Sequence, residues 1–128
     1  MGCDIHTVIE ERVGGKWIGV VASDRMQKRP IYAQRDYEFF GAVASVRERG
    51  DKYPVGFPYD VSDLSWYLFS KVPTDYHSAS HMSVEEFCAI HHRVNPEASR
   101  TEYAVHDLMG LWGADDGAEF RVVFWFDN

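Results

Sequence analysis

The side chains with most chemistry to offer stand at the start of the chain, where MGCDIHTVIE places Cys3, Asp4 and His6 within six residues. Beta-branched residues with a period of two run from Cys3 to Val13, which predicts a strand. Asp4, His6, Val8 and Glu10 then share one face, and Cys3, Ile5, Thr7 and Ile9 the other. Asp-x-His is the spacing by which some metal-dependent phosphoesterases offer a carboxylate and an imidazole to one divalent ion. Two ligands do not make a site, so a third is required, from His77, Asp75 or Asp127. Asp4, His6 and Asp127 are the candidate metal ligands. The same spacing also serves an interior histidine beside an aspartate that binds backbone.

Two further groupings suit an anion. In DYHSASH, Asp75 to His81, His77, Ser78 and Ser80 precede a helix start. There hydroxyls and free backbone N–H groups favour negative charge, although serines at such places ordinarily cap the helix. Arg35, Tyr37, Arg47, Trp66, Tyr67, Arg121 and Trp125 pair guanidinium forks with aromatic rings, a combination that clamps phosphate and stacks a base. The candidate ligand-binding set is Arg35, Tyr37, Arg47, His77, Ser78, Ser80, Arg121 and Trp125. No serine sits in a Gly-x-Ser-x-Gly elbow and no glycine loop is built for phosphate, so the motifs give nucleophilic catalysis little support.

The composition narrows the partners. Across 128 residues, 45% are apolar and 15% aromatic, which suits one globular domain over 1–128. A formal net charge of -7 repels phosphate backbones and argues against general nucleic-acid binding. No apolar run reaches membrane-spanning length, and no charged-then-apolar leader is present, so a cytoplasmic protein is expected. Gly2 invites an acylation reading, but His6 stands where a small hydroxyl residue is required. Cys3 and Cys88, the only cysteines, make neither a disulfide framework nor a cysteine zinc cluster.

The elements that must position these groups follow from pattern. Gly14-Gly15 predicts a hairpin turn into a return strand over 16–21. Residues 22–35 read as loop. A helix is predicted from Asp36 to about Arg49, closed by Gly50, and a shorter one over Val61–Ser70 on Leu64, Tyr67 and Leu68. Two prolines and a glycine make DKYPVGFPYD an irregular loop. Ser83 with Glu86 is a capping box, stapled by Met82 and Phe87, for a helix to about Arg93. Ser99 with Glu102 repeats the signal ahead of a helix over 103–112. His91 and His92 lie at a helix C-terminus, where a protonated imidazole is favourable. The final EFRVVFWFDN is a strand with bulk on both faces. The expected class is α+β: a small antiparallel sheet, the N-terminal hairpin plus the C-terminal strand, with three or four helices packed on one face. Antiparallel pairing of first and last strands would set Asp127 and Asn128 beside Gly2 to Asp4.

MGCDIH, RDYEFFGAVASVR, GFPYDVS, HSAS and VVFWFDN, in this order, resemble a family of small proteins encoded by tailed bacteriophages and prophages. The resemblance spans nearly the whole chain and is most specific at the two ends. Relatives tend to carry a His-Ser-His-Ser-Trp-like run; here His77, Ala79 and His81 occupy its first, third and fifth positions, without the middle histidine. The family implies an origin rather than a mechanism, with the infected bacterial cytoplasm as the location. Small accessory phage proteins are often inhibitors of host defence, including binders that sequester nucleotide-derived signals. The resemblance therefore favours a binder of a small nucleotide-like molecule or host defence component; no cofactor is expected, a divalent metal at Asp4, His6 and Asp127 being the alternative. A metal-dependent phosphohydrolase using Asp4, His6 and His77, and a protein-interaction module without a small ligand, with a homodimer among its partners, stand as the other two readings.

Overall fold

A computed structural model describes residues 2–23, 35–71, 74–96 and 119–127. Its elements are β1 (Ile5–Val13), β2 (Lys16–Ser23), α1 (Tyr37–Ala44), α2 (Asp63–Ser70), β3 (His77–Ser83), α3 (Val84–Val94) and β4 (Phe120–Phe126). The four strands form one antiparallel sheet in the order β2-β1-β4-β3. The fold is α+β. Of the loop read over 22–35, Ala22 and Ser23 instead extend β2, and 24–34 lies outside the described residues, as does the predicted helix over 103–112.

The β1–β2 hairpin turns at Gly14 and Gly15, whose φ values of 58° and 79° are the left-handed pair that a tight two-residue hairpin needs. β4 lies between β1 and β3 and is buried along its whole length. That burial explains its alternating bulk on both faces. Phe120, Val122, Phe124 and Phe126 join Ile5 and Ile9 beneath α1 and α3, through Phe39, Phe40, Val43, Phe87 and Ile90. The rings interlock edge to face, Phe40 on Phe126 at 5.1 Å and Phe39 on Phe87 at 5.1 Å between centroids. Each fully buried phenylalanine contributes roughly 1.5–3 kcal/mol relative to exposure.

On the opposite face Val8, Val123 and Trp125 pack against Leu64, Leu68 and Phe69 of α2. The helices thus cover both faces of the sheet, α1 and α3 on one and α2 on the other, instead of the single face expected, because β1 and β4 carry apolar side chains on both of theirs. α2 approaches over Gly19, where a Cβ would lie 2.7 Å from the Leu64 Cβ. Tyr67, predicted to pack inward, points to solvent.

Three local expectations are corrected. HSASHMS, expected only as the run ahead of a helix start, is the edge strand β3, paired with β4. Its serines and histidines hid the alternation, yet Met82 turns into the core. α1 stops at Ala44 because Ser45 takes the left-handed conformation, φ 53°, and its N–H returns to the carbonyls of Gly41 and Phe40. Gly50, expected to close that helix, instead packs on the Gly41 backbone. His91 is buried rather than solvated; it packs on Phe39 at 4.8 Å, and burial holds it below the ordinary imidazole range. The Ser83 cap stands, its Oγ accepting from Glu86 N–H at 3.1 Å.

Candidate functional site at the junction of the chain ends

The two ends of the chain meet. The β1–β4 register sets Ile5 opposite Phe126, so the next residues outward, Asp4 and Asp127, are neighbours. Asp4 N–H donates to Asp127 Oδ1 at 2.8 Å, and Asp127 N–H donates to the Asp4 carbonyl at 3.1 Å. The other carboxylate oxygen of Asp127 lies 2.9 Å from His6 Nε2. Asp4 itself is buried, and its carboxylate accepts from Arg35 Nε at 3.1 Å. Gly2 makes room for this pairing: a Cβ there would overlap the Arg35 guanidinium. Cys3 N–H donates to the Tyr37 hydroxyl at 3.1 Å, while its side chain enters the core. Burial pushes the Cys3 thiol up, opposed by a hydrogen bond from Arg47, so it is a poor nucleophile. The Arg47 guanidinium also lies 5.4 Å from the Tyr37 ring centroid.

Arg35, Tyr37 and Arg47, three of the predicted ligand-binding residues, therefore gather on Gly2–Asp4 from different segments. The Arg35 side chain is half exposed and Arg47 is exposed. Arg47 has a φ of 65°, a conformation that a side chain-bearing residue adopts only at some cost. His77 stands nearby in register, opposite Phe126, with its ring loosely stacked on that phenylalanine.

The candidate metal ligands do come together, but as a hydrogen-bonded chain. Asp4 is taken by Arg35, and Asp127 is shared between Asp4 N–H and His6. Among the described residues no group of three or more His, Cys, Asp or Glu side chains is placed to hold a metal ion. His77 does not join His6. It stacks on Phe126, in the cluster beneath α1 and α3, and β4 runs between the two histidines. The ring beside His6 is Tyr76, at 4.9 Å.

Arg121 and Trp125 have other roles. Arg121 lies opposite Glu10, five residues along β4 from Phe126, about 17 Å from the corner at strand rise. Its Nε donates to the fully buried Glu10 at 2.6 Å, and its terminal nitrogens bind the carboxylate and carbonyl of Asp60 at 2.9 and 3.1 Å. Its guanidinium also lies 4.0 Å from the Trp17 ring centroid. Glu10 further accepts from Ser62 N–H at 3.0 Å and Ser65 Oγ at 2.7 Å, fastening the start of α2 to the sheet. Sequence pattern had grouped Glu10 with Asp4 and His6 but had not paired it with Arg121. Trp125 sits among Phe57, Phe69 and Tyr76, its indole N–H buried without a partner among the described residues. Ser80 Oγ accepts from Val55 N–H at 3.3 Å, holding the 53–56 segment against β3. Ser78 stays beside His77, with its hydroxyl 2.9 Å from His77 Nδ1. Asp75 is exposed, before β3 begins, and Trp66 projects from α2 into solvent.

Comparison of the chain with family models, with curated proteins and with solved structures finds no match. Among the described residues no helix is long and apolar enough to cross a membrane.

Proposed function

We propose that this is an accessory protein of phage origin that binds a small anionic, nucleotide-like ligand at the junction of the chain ends, and so sequesters a host antiviral signal. The observation that carries the reading is the convergence of two guanidinium groups on Gly2–Asp4, Arg35 against Gly2 and Asp4 and Arg47 beside Cys3 and the Tyr37 ring. Guanidinium forks match phosphate oxygens, and a flanking aromatic ring suits a base. Anchoring by Asp4 and by the fixed turn at Ser45–Arg47 reduces the side-chain freedom lost on binding. The phage origin rests on the resemblance of the terminal motifs. A thermal-shift series with cyclic dinucleotides and ADP-ribose tests the reading. A ligand present at about 100 times its Kd stabilises the native state by roughly 2.7 kcal/mol, a readily measured rise in melting temperature. If none of these compounds raises it at saturating concentration, the small-ligand reading fails.

A second reading has its own observation. Tyr59 is fully exposed, and Tyr53, Trp66 and Tyr67 are more than half exposed. Aromatics are enriched in protein interfaces, so these side chains favour an interaction module, a homodimer being the simplest case. Sedimentation over a wide concentration range checks it: Trp66→Ser should abolish any self-association, and a monomer at every concentration excludes the dimer.

A further inference from the structure

We propose that Ser78 and His77 form a nucleophile–base pair that hydrolyses small carboxylic esters through a covalent Ser78 acyl intermediate. Three observations converge on it. Ser78 has a φ of 57°, a left-handed conformation inside an edge strand, where glycine or asparagine sits at lower cost. The β3–β4 register slips between His77 and Ser80, so Ser78 and Ala79 together face Trp125 and leave the regular ladder. The Ser78 hydroxyl lies 2.9 Å from His77 Nδ1, and the imidazole is loosely stacked on Phe126, which orients it. Both side chains are partly exposed, so an ester can reach them. A neighbouring-residue hydrogen bond alone does not require positive φ. A hydroxyl turned out of the ladder toward a base is what a nucleophile requires, and strain at such positions marks functional sites.

The chemistry balances with water as the only co-reactant. With the ring proton on Nε2, the Ser78 O–H donates to Nδ1. Oγ attacks the ester carbonyl carbon as its proton passes to Nδ1, and the alcohol leaves with that proton. Water then attacks the acyl-Ser78, giving its proton to Nδ1, and Ser78 is reprotonated as the carboxylic acid departs.

The direct test is an alkyl fluorophosphonate probe on the folded full chain, read by intact mass and by mapping the modified peptide. The expected result is one adduct per chain on Ser78, absent after unfolding in urea and absent in Ser78→Ala. His77→Gln should label about a hundredfold more slowly, the small end of a general-base contribution. A burst of p-nitrophenol from p-nitrophenyl acetate, stoichiometric with protein and lost in Ser78→Ala, is expected alongside. No Ser78 adduct on the folded wild-type chain overturns the proposal. So does a labelling rate unchanged by His77→Gln.

Discussion

Asp4 and Asp127 hold each other by a reciprocal pair of hydrogen bonds, Asp4 N–H to Asp127 Oδ1 at 2.8 Å and Asp127 N–H to the Asp4 carbonyl at 3.1 Å. Each carboxylate then takes its own cationic or imidazole partner, Arg35 for Asp4 and His6 for Asp127. The MGCDIH and FWFDN motifs are thus two halves of one structure. Gly2 admits Arg35, Cys3 enters the core, and Asp4 and His6 meet Asp127.

Asp127→Ala removes the acceptor of a part-buried backbone N–H and the partner of His6, and leaving such a donor unsatisfied costs about 1–3 kcal/mol. Urea unfolding should show that loss in the midpoint. Asp127→Asn keeps an oxygen for Asp4 N–H and should lose less. Equal loss in both variants would contradict the assigned role of Oδ1.

Arg121 is the cationic partner of fully buried Glu10, so removing it strands that carboxylate, whereas loss of Glu10 leaves Arg121 its pair with Asp60. Arg121→Met should destabilise by roughly 3–5 kcal/mol, and Glu10→Leu by less, because Asp60 still pairs Arg121. The double replacement should cost clearly less than the two single losses together, because it leaves no buried carboxylate without its cation; Asp60, which loses Arg121, is partly exposed. Additive losses in a double-mutant cycle would show the pair to be independent.

Ser78→Gly should stabilise the protein by about 1 kcal/mol, since glycine accepts the positive φ that strains serine. Chemical denaturation measures this directly. A destabilised variant would mean that the hydroxyl's hydrogen bond to His77 outweighs the strain.

The acid limb of stability should be set first by histidines. His91 is held below its ordinary pKa by burial, and His81 by burial and by Arg121. For both, the unfolded chain binds the proton more readily, so their contribution is complete above the unfolded value of about 6.5 and declines as pH falls below it. Asp60, lowered mainly by its hydrogen bond from Arg121, adds a second loss as pH falls below about 4. Urea midpoints across this range should fall from near pH 6.5 downward, and His91→Leu should flatten the upper part. An unchanged slope in that variant would remove His91 from the account.

The parts of the fold legible in the sequence are those where one local signal suffices. Alternation with Gly14-Gly15 marks the hairpin, Ser83 with Glu86 marks the start of α3, and two-sided bulk marks β4 as central. β3 escaped because an edge strand of hydroxyls and histidines lacks the apolar alternation that betrays the others; Met82 is its sole large apolar residue facing the core. The site divides the same way. Asp127 beside Asp4 follows from pairing the first and last strands, and that register also sets Arg121 opposite Glu10. Arg121 therefore had a buried partner implied by the sequence pattern once the register was fixed. The left-handed backbone at Ser45, Arg47 and Ser78 left no trace in residue type, since none is glycine or asparagine. Tertiary packing decides those positions.

The central claim is that the junction of the chain ends binds a nucleotide-like anion, and calorimetric titration of cyclic dinucleotides and ADP-ribose into wild-type protein and Arg47→Gln measures it most directly. The account predicts saturable binding of at least one of these compounds to the wild type. Loss of one guanidinium contact should weaken it about tenfold or more, near 1.4 kcal/mol, with the melting temperature of the free variant little changed. No heat of binding to the wild type up to about 1 mM ligand, where an interaction is worth only about 4 kcal/mol, would contradict it. So would equal affinity in Arg47→Gln.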